Sequence, residues 1–316
     1  MSEENKQIPV FVFSGFMDSG KTTLVRESLY SKEVTDGYKT LLICTEEGEE
    51  EYDNKILSDN NVTIIYVDEE DKFNLELLNQ LHGDVNPDQV FIEYNGTWDI
   101  KSFLEGELPE GWLFYQNFSL VNAETYDMYL MNMRQLIMTP IVYATTVIFN
   151  RCGDDTEKGR LRRSIKVLNG NAKIIFEREN GDIDNRPDEF DIDLSKDELD
   201  ITDDMFGNWI VDCKEHPDKY IGKMVNFVGI AYNKPNLPEN YFGLGRNALV
   251  CCAEDARYIG FLCEYPEALM PEHGEWVRVK AKVVNKIYAK TDEKKVMLQP
   301  ISVEPAPAPD DEYIYF

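Results

Sequence analysis

Through the first 180 or so residues, short apolar runs alternate with stretches whose apolar positions recur at helical spacing. Val10 to Phe13 predicts a strand, with Pro9 tolerated only at its start because proline has no amide to give a ladder. Thr22 to Tyr30 predicts a helix, Lys39 to Cys44 a strand, Tyr52 to Asp59 a helix and Val62 to Val67 a strand. Phe73 to Leu81 continues as a helix, Gln89 to Glu93 as a strand, Ala123 to Leu136 as a helix, and Ala144 to Phe149 as a strand. Asp155 to Asn169 and Ala172 to Phe176 close the series as a helix and a strand. Such alternation predicts an α/β domain: a mostly parallel sheet covered on both faces, with ligands at the carboxyl ends of the strands.

From Phe206 the texture changes. Asn208 to Val211, Met224 to Tyr232, Ala248 to Cys252, Tyr258 to Cys263, Trp276 to Val284 and Val296 to Val303 are short runs rich in β-branched and aromatic residues, with Gly, Pro and Asn between them. They predict a small all-β domain. Its order fits a barrel of the OB type, with Ile221-Gly222-Lys223 opening one strand and Trp276 to Val279 another. The expected boundaries are residues 1–178 for the α/β domain, 179–204 for an acidic linker, 205–304 for the β-rich domain and 305–316 for a proline-rich, disordered tail.

Composition narrows the function classes. A 316-residue chain with 43% apolar and 12% aromatic residues is long enough for two ordinary cores. The formal charge of −27, from 59 acidic and 32 basic side chains, argues against nucleic acid or an anionic lipid surface as a partner. No apolar stretch approaches the roughly 20 residues that a membrane-spanning helix needs, and no charged-then-apolar leader opens the sequence, so the expectation is a cytoplasmic protein. The six cysteines are scattered, which suits reduced thiols better than a disulfide framework.

The strongest chemical signal is Gly15-Phe16-Met17-Asp18-Ser19-Gly20-Lys21-Thr22, which fits G-x-x-x-x-G-K-[ST] without a mismatch between a predicted strand and a predicted helix. Backbone amides of such a loop turn toward phosphates, Lys21 adds a point charge, and the Thr22 hydroxyl can ligate magnesium. Asp18, Ser19 and Thr23 complete the candidate phosphate cradle. After the second predicted strand comes Thr45-Glu46-Glu47-Gly48-Glu49-Glu50, and after Val90 to Ile92 comes Glu93-Tyr94-Asn95-Gly96. A carboxylate at the latter place holds magnesium or a water in phosphoryl-transfer enzymes, and the glycine beside it lets backbone approach the γ-phosphate. Glu93 and Gly96 fit those roles; Glu46 to Glu50 also reads as an ordinary exposed acidic loop. At Asn150-Arg151-Cys152-Gly153-Asp154 the chain approximates the N-K-x-D pattern that recognises guanine, with arginine for lysine and the aspartate one residue late. A strand-ending turn of Asn, Gly and Asp is the plainer reading of the same residues.

Taken together, "GFMDSGKTT", Glu46-Glu47-Gly48-Glu49, Glu93-Tyr94-Asn95-Gly96 and Asn150-Arg151 resemble the CobW/HypB/UreG class of P-loop GTPases, and its CobW-like branch above all, over roughly the first 178 residues. The resemblance implies GTP and magnesium as cofactors, Glu46 and Glu49 as switch residues, hydrolysis coupled to metal delivery or cofactor maturation, and dimerisation around nucleotide. That family reads N-E-F-G-E where this chain has Thr45-Glu46-Glu47-Gly48-Glu49. The cysteine motif G-C-x-C-C of its metal-carrying branch is absent: Tyr66 to Asp71 holds no cysteine. The segment from Gly245-Arg246 through Cys251-Cys252 to Ala256 is similar to the C-terminal region of uncharacterised bacterial proteins associated with membrane permeases.

Cys251, Cys252 and Cys263 form a candidate zinc site, against which stands the tendency of consecutive strand side chains to point to opposite faces and of free cysteine to be buried packing. The functional expectation is a nucleotide-dependent switch, GTP in preference to ATP, whose hydrolysis is coupled to a metal, a metalloprotein client or a permease. A non-hydrolysing nucleotide-sensing scaffold is the alternative from another class, and a small-molecule kinase a third.

Overall fold

Apolar side chains alternate onto both faces of β1 (Ile8–Ser14), so the strand is satisfied only in the middle of a sheet covered on both sides. The computed structural model describes residues 7–46, 52–188, 192–233, 237–249, 256–288 and 293–315. They divide into two units: the described residues up to Thr156 with Asn169–Arg186, and Glu157–Leu168 with the described residues from Pro187 onward.

In the first unit the sheet order is β3-β2-β4-β1-β5-β6-β7, every neighbour parallel, with β2 at Thr40–Cys44, β3 at Val62–Tyr66, β4 at Gln89–Glu93, β5 at Trp112–Asn122, β6 at Thr146–Cys152 and β7 at Lys173–Arg178. Its helices are α1 Lys21–Tyr30, α2 Lys32–Thr35, α3 Asn54–Asp59, α4 Leu75–Val85, α5 Ile100–Leu104, α6 Tyr126–Asn132 and α7 Arg134–Tyr143. Ile8, Val10, Val12, Ile43 and Ile92 pack on one face against Leu78, Leu81 and Val85 of α4. Phe13, Leu42 and Phe91 pack on the other against Val25 and Leu29 of α1. This two-sided covering puts the carboxyl ends of β1, β2, β4 and β6 at one edge of the layer.

In the first unit β5 and the α6–α7 region depart from the sequence expectation. β5 has no counterpart among the predicted strands, because its period-2 signal is broken: Leu113 and Tyr115 are exposed, Asn117 is buried, and the register slips between Val10 and Phe11. Asn117 is made acceptable inside the sheet by donating to Tyr143 O at 3.0 Å and accepting from Ser14 Oγ at 3.3 Å. The single helix expected over Ala123 to Leu136 is instead α6 and α7, broken at Met133, whose φ of −135° and ψ of 40° are not helical.

The second unit contains α8 (Lys158–Leu168), β8 (Glu198–Asp200), α9 (Asp203–Glu215), β9 (Met224–Tyr232), β10 (Tyr241–Leu249), β11 (Arg257–Glu264), β12 (Trp276–Tyr288), β13 (Glu293–Pro305) and β14 (Tyr313–Tyr315). β9 pairs with β10 and β12, β10 with β11, β11 with β13, and β13 with β12, which closes a five-stranded ring. Only the β11–β13 pairing in that ring is parallel, so the barrel has the OB-type order. Trp209 fills it, with Phe227 and Phe261 at ring-centroid distances of 5.0 and 5.2 Å.

Asn208 to Val211, expected as a strand, lies inside α9. The reason is visible in the burial: Phe206, Trp209, Ile210 and Cys213 recur at helical spacing on one buried face. The acidic stretch read as linker contributes β8, parallel to β9, with Leu199 and Ile201 buried. The tail read as disordered carries β14, parallel to Asn247–Leu249 of β10, with Ile314 buried. In each case two or three apolar residues in a polar context pair with an edge that composition alone does not reveal. Trp209→Ala should destabilise the second unit by about 3–5 kcal/mol, the usual cost of emptying a large aromatic site, read as a lowered urea midpoint.

Candidate functional site

The chain leaves β1 at Ser14 and turns through Gly15 (φ 140°), Asp18 (φ 57°) and Gly20 (φ 91°) before α1 starts at Lys21. A Cβ on Gly15 would stand 2.3 Å from Leu120 O, and one on Gly20 would stand 2.6 Å from Asn150 Nδ2. Glycine is therefore required twice over, by backbone conformation and by the approach of β5 and β6. Gly96, just after β4, closes the cradle from the other side, where a Cβ would meet Gly15 O at 2.4 Å.

Lys21 is buried and donates to Gly15 O and Phe16 O, both at 3.0 Å, so the ammonium is folded back over its own loop. It also pairs with Glu46 Oε2 at 2.8 Å. Glu93, at the carboxyl end of β4, is 2% exposed. Its Oε1 accepts from Thr22 Oγ1 and its Oε2 from Tyr52 OH, each at 2.5 Å, with Cys44 Sγ 3.6 Å away. Burial, and then the Glu93 charge, push the Cys44 thiol far above its ordinary range. Tyr52 is pushed up the same way, by burial first and then by its neighbours Cys44 and Glu93.

Thr45 ties the end of β2 to the turn after β4. It donates to Glu93 O at 3.0 Å, accepts from Asn95 N at 2.7 Å, and its carbonyl accepts from Asn95 Nδ2 at 3.1 Å. Cys44, Tyr52 and Asn95 were not singled out from sequence; Cys44 and Asn95 lie within two residues of a strand end, the place where such residues would be sought. Tyr52 had no such signal.

At the β6 end, Asn150 Nδ2 donates to Ser19 O at 2.7 Å and Arg151 Nη1 to Asp18 O at 2.9 Å, so both side chains meet the phosphate loop. Asp154 lies beyond it, with Oδ1 3.3 Å from Arg178 Nη2 and 3.2 Å from Arg186 Nη1. Thr23 follows Thr22 in the first turn of α1. Glu49, Cys251 and Cys252 lie outside the described residues. Cys263 is fully buried on β11, and burial raises its thiol. Among the described residues no group of three or more His, Cys, Asp or Glu side chains is placed to hold a metal, and no helix is long and apolar enough to cross a membrane.

The residues present fit a triphosphate with magnesium. Among the described residues Ser19 Oγ and Asn150 Oδ1, both buried at the loop, have no hydrogen-bond partner, which leaves them able to meet a ligand. The amino end of α1 and Lys21 suit phosphate, and the Thr22 hydroxyl with the Glu93 carboxylate supplies hard oxygen donors for magnesium. Fold and site together define a P-loop nucleotide-binding domain joined to a small barrel.

The chain belongs to the CobW/HypB/UreG family, whose nucleotide-binding domain matches residues 9–176, just over half of its length. The remainder, residues 179–316, matches the DUF1980 C-terminal domain. Zinc chaperone YjiA of Escherichia coli (strain K12) is 28% identical over 193 residues, 56% of this chain and 59% of that protein. UPF0703 protein YcgQ of Bacillus subtilis (strain 168) is 25% identical over 121 residues, 38% of this chain and 42% of that protein. The chain thus spans about half the length of the curated relatives it matches. The crystal structure of Zn(II)-bound YjiA GTPase from E. coli superposes with a TM-score of 0.43 at 18% identity, covering 95% of this chain and 94% of that one.

Two outcomes follow from the site's packing. Gly96→Ala should weaken triphosphate binding by about tenfold or more in calorimetry, because a methyl group against Gly15 O forces the two loops apart. Stability should fall as pH rises above 9, since Cys44 and Cys263, ordinarily ionising near 9.0, stay protonated in the fold and ionise only in the unfolded chain. The slope should be about 1.4 kcal/mol per pH unit for each such thiol, and Cys44→Ala should reduce it.

Proposed function

We propose that this protein is a nucleotide-dependent switch that binds GTP with magnesium and hydrolyses it slowly, coupling the cycle to metal handling or to a metalloprotein or permease client. The observation that carries the reading is the pair of contacts at the start of α1: Glu46 on Lys21 and Glu93 on Thr22. Lys21 can serve a phosphate only by releasing Glu46, so occupancy of the loop is coupled to the segment that follows β2. Family membership supports nucleotide binding, and the likeness to a protein described as a zinc chaperone supports a link to metal. Asn150 and Asp154, at and beyond the end of β6, make guanine the expected base.

Bound GTP and magnesium would supply the electrophile and the charge neutralisation that phosphoryl transfer requires. This chain contributes the Lys21 ammonium, the amino end of α1, the Thr22 hydroxyl and the Glu93 carboxylate, with Glu46 and Glu49 as the carboxylates available to orient water. Both Glu93 oxygens are engaged, by Thr22 and Tyr52, which favours slow turnover until a partner rearranges the site. The same observation favours the second reading, a nucleotide-sensing scaffold that does not hydrolyse. Zinc at Cys251, Cys252 and Cys263 belongs to this proposal as the metal-handling element of the second unit, and a nucleotide-bound homodimer as its assembly.

Lys21→Ala should abolish tight triphosphate binding in calorimetry, because no other basic residue lies within the loop. Phosphate release from GTP and ATP, with and without zinc, separates switch from scaffold. Glu93→Gln should lower GTP turnover about 10²-fold or more while triphosphate still binds, and a parent protein that binds GTP without releasing phosphate would favour the scaffold.

A further inference from the structure

Asp154 falls one residue later than the N-K-x-D spacing requires, and β6 contains one extra residue just before it. In the β6–β7 ladder Phe149 pairs with Phe176 and Cys152 with Arg178, so three steps along β6 oppose two along β7. The surplus is absorbed at Arg151, whose φ of 54° lies in the left-handed region. A bulge of this kind takes one residue out of register and returns the following residues to the course of the uninterrupted strand. Asn150 stands before the bulge and reaches the phosphate loop; Gly153 and Asp154 stand after it.

The turn beyond the bulge is held by Arg186. Its Nε lies 3.0 and 3.1 Å from the two Asp184 oxygens and its Nη2 donates to Asp184 Oδ2 at 2.6 Å. The same guanidinium donates to Gly153 O at 2.8 Å, to Asp154 O at 3.0 Å and to Asp154 Oδ1 at 3.2 Å. Asp184 has a fully buried side chain and is delivered by a tight return after β7, in which Gly181 adopts φ 83° and Asp184 N donates to Phe176 O at 2.8 Å. Arg178 adds its ion pair to the same Asp154 Oδ1. The two ion pairs to the Asp154 side chain both fall on Oδ1, and that side chain is 86% exposed.

We propose that the Asp184–Arg186 pair is a positioning device for base recognition, which fixes the bulged Asn150–Asp154 turn so that the Asp154 carboxylate accepts hydrogen bonds from the N1–H and 2-amino groups of guanine. Adenine presents an acceptor at N1 and no 2-amino group, so a fixed carboxylate selects against it. An arginine is suited to the task because its planar fork grips Asp184 and the Gly153 and Asp154 carbonyls together, which a lysine point charge does not. The bulge explains why the motif carries five residues instead of four, and the pair explains how a highly exposed aspartate keeps one orientation. The inference rests on the guanine reading proposed above.

The test is calorimetry on the full chain with GTP, ATP and xanthosine triphosphate at fixed magnesium, with thermal unfolding as the control for folding. The parent should prefer GTP to ATP. Arg186→Gln should weaken GTP by about tenfold or more, the value of a charge-assisted hydrogen bond, while leaving ATP within about twofold, so that the preference disappears. Because a variant next to buried Asp184 can misfold, Asp154→Asn supplies a second arm at an exposed position: it replaces an acceptor by a donor and should move the preference from GTP to xanthosine triphosphate, whose 2-oxo group accepts. A folded Arg186→Gln protein that keeps the full GTP preference overturns the positioning role alone. An Asp154→Asn protein that still prefers GTP overturns the contact on which it depends. A parent that does not distinguish GTP from ATP overturns the guanine reading and this inference with it.

Discussion

The buried carboxylate of Glu93 is the interaction on which the rest of the site depends. A charge at 2% exposure persists only if its oxygens are hydrogen-bonded, and the fold supplies Thr22 from α1, Tyr52 from the segment before α3 and Cys44 from β2. These partners come from three separate elements, so satisfying one carboxylate registers β2, β4 and the phosphate loop against one another. Hydrogen bonds to a charged group are worth about 1.5–3 kcal/mol each, and removing a partner leaves the charge to bear its desolvation. The Cys44 thiol and Tyr52 hydroxyl, both driven toward their neutral forms, can only donate to it.

Lys21 stands in the same relation to the acidic loop after β2. Its ammonium, folded onto Gly15 O and Phe16 O and paired with Glu46, has a carboxylate where an anionic ligand would stand. The cradle is therefore charge-balanced without a ligand, and any phosphate must compete with Glu46. Gly96 and Gly15 approach so closely that a Cβ on Gly96 would meet Gly15 O, so the turn after β4 is packed directly on the phosphate loop.

Much of the first unit was legible in the sequence. The phosphate loop, Glu93, Gly96 and Asn150 were candidates from local patterns at strand ends, and the fold brings them together at one edge of the sheet. β5 was not legible, because its apolar alternation is broken by Asn117 and by a slip in register, and a buried asparagine is acceptable only once Ser14 and Tyr143 are beside it. Tyr52 carried no sign of its role either: a tyrosine near a helix start becomes a ligand of Glu93 only through the folding of the chain. α9 was misread as a strand over Asn208 to Val211, where four residues are too few to separate the two periods and only the longer run from Phe206 to Cys213 does so.

What the sequence determined by itself was the class of protein: glycine, lysine and threonine at the G-x-x-x-x-G-K-[ST] spacing, between an apolar strand and a helix, specify a phosphate cradle by local geometry. What the tertiary structure decided was how distant residues complete it. The one-residue delay of Asp154 could not be interpreted along the chain, because a bulge is defined by the neighbouring strand and not by the residues that form it. The partners of Asp154 lie 24 and 32 residues further on, at Arg178 and Arg186. Hydrogen bonds and charges act through space over a few ångströms, and only the folded sheet brings these groups within that range.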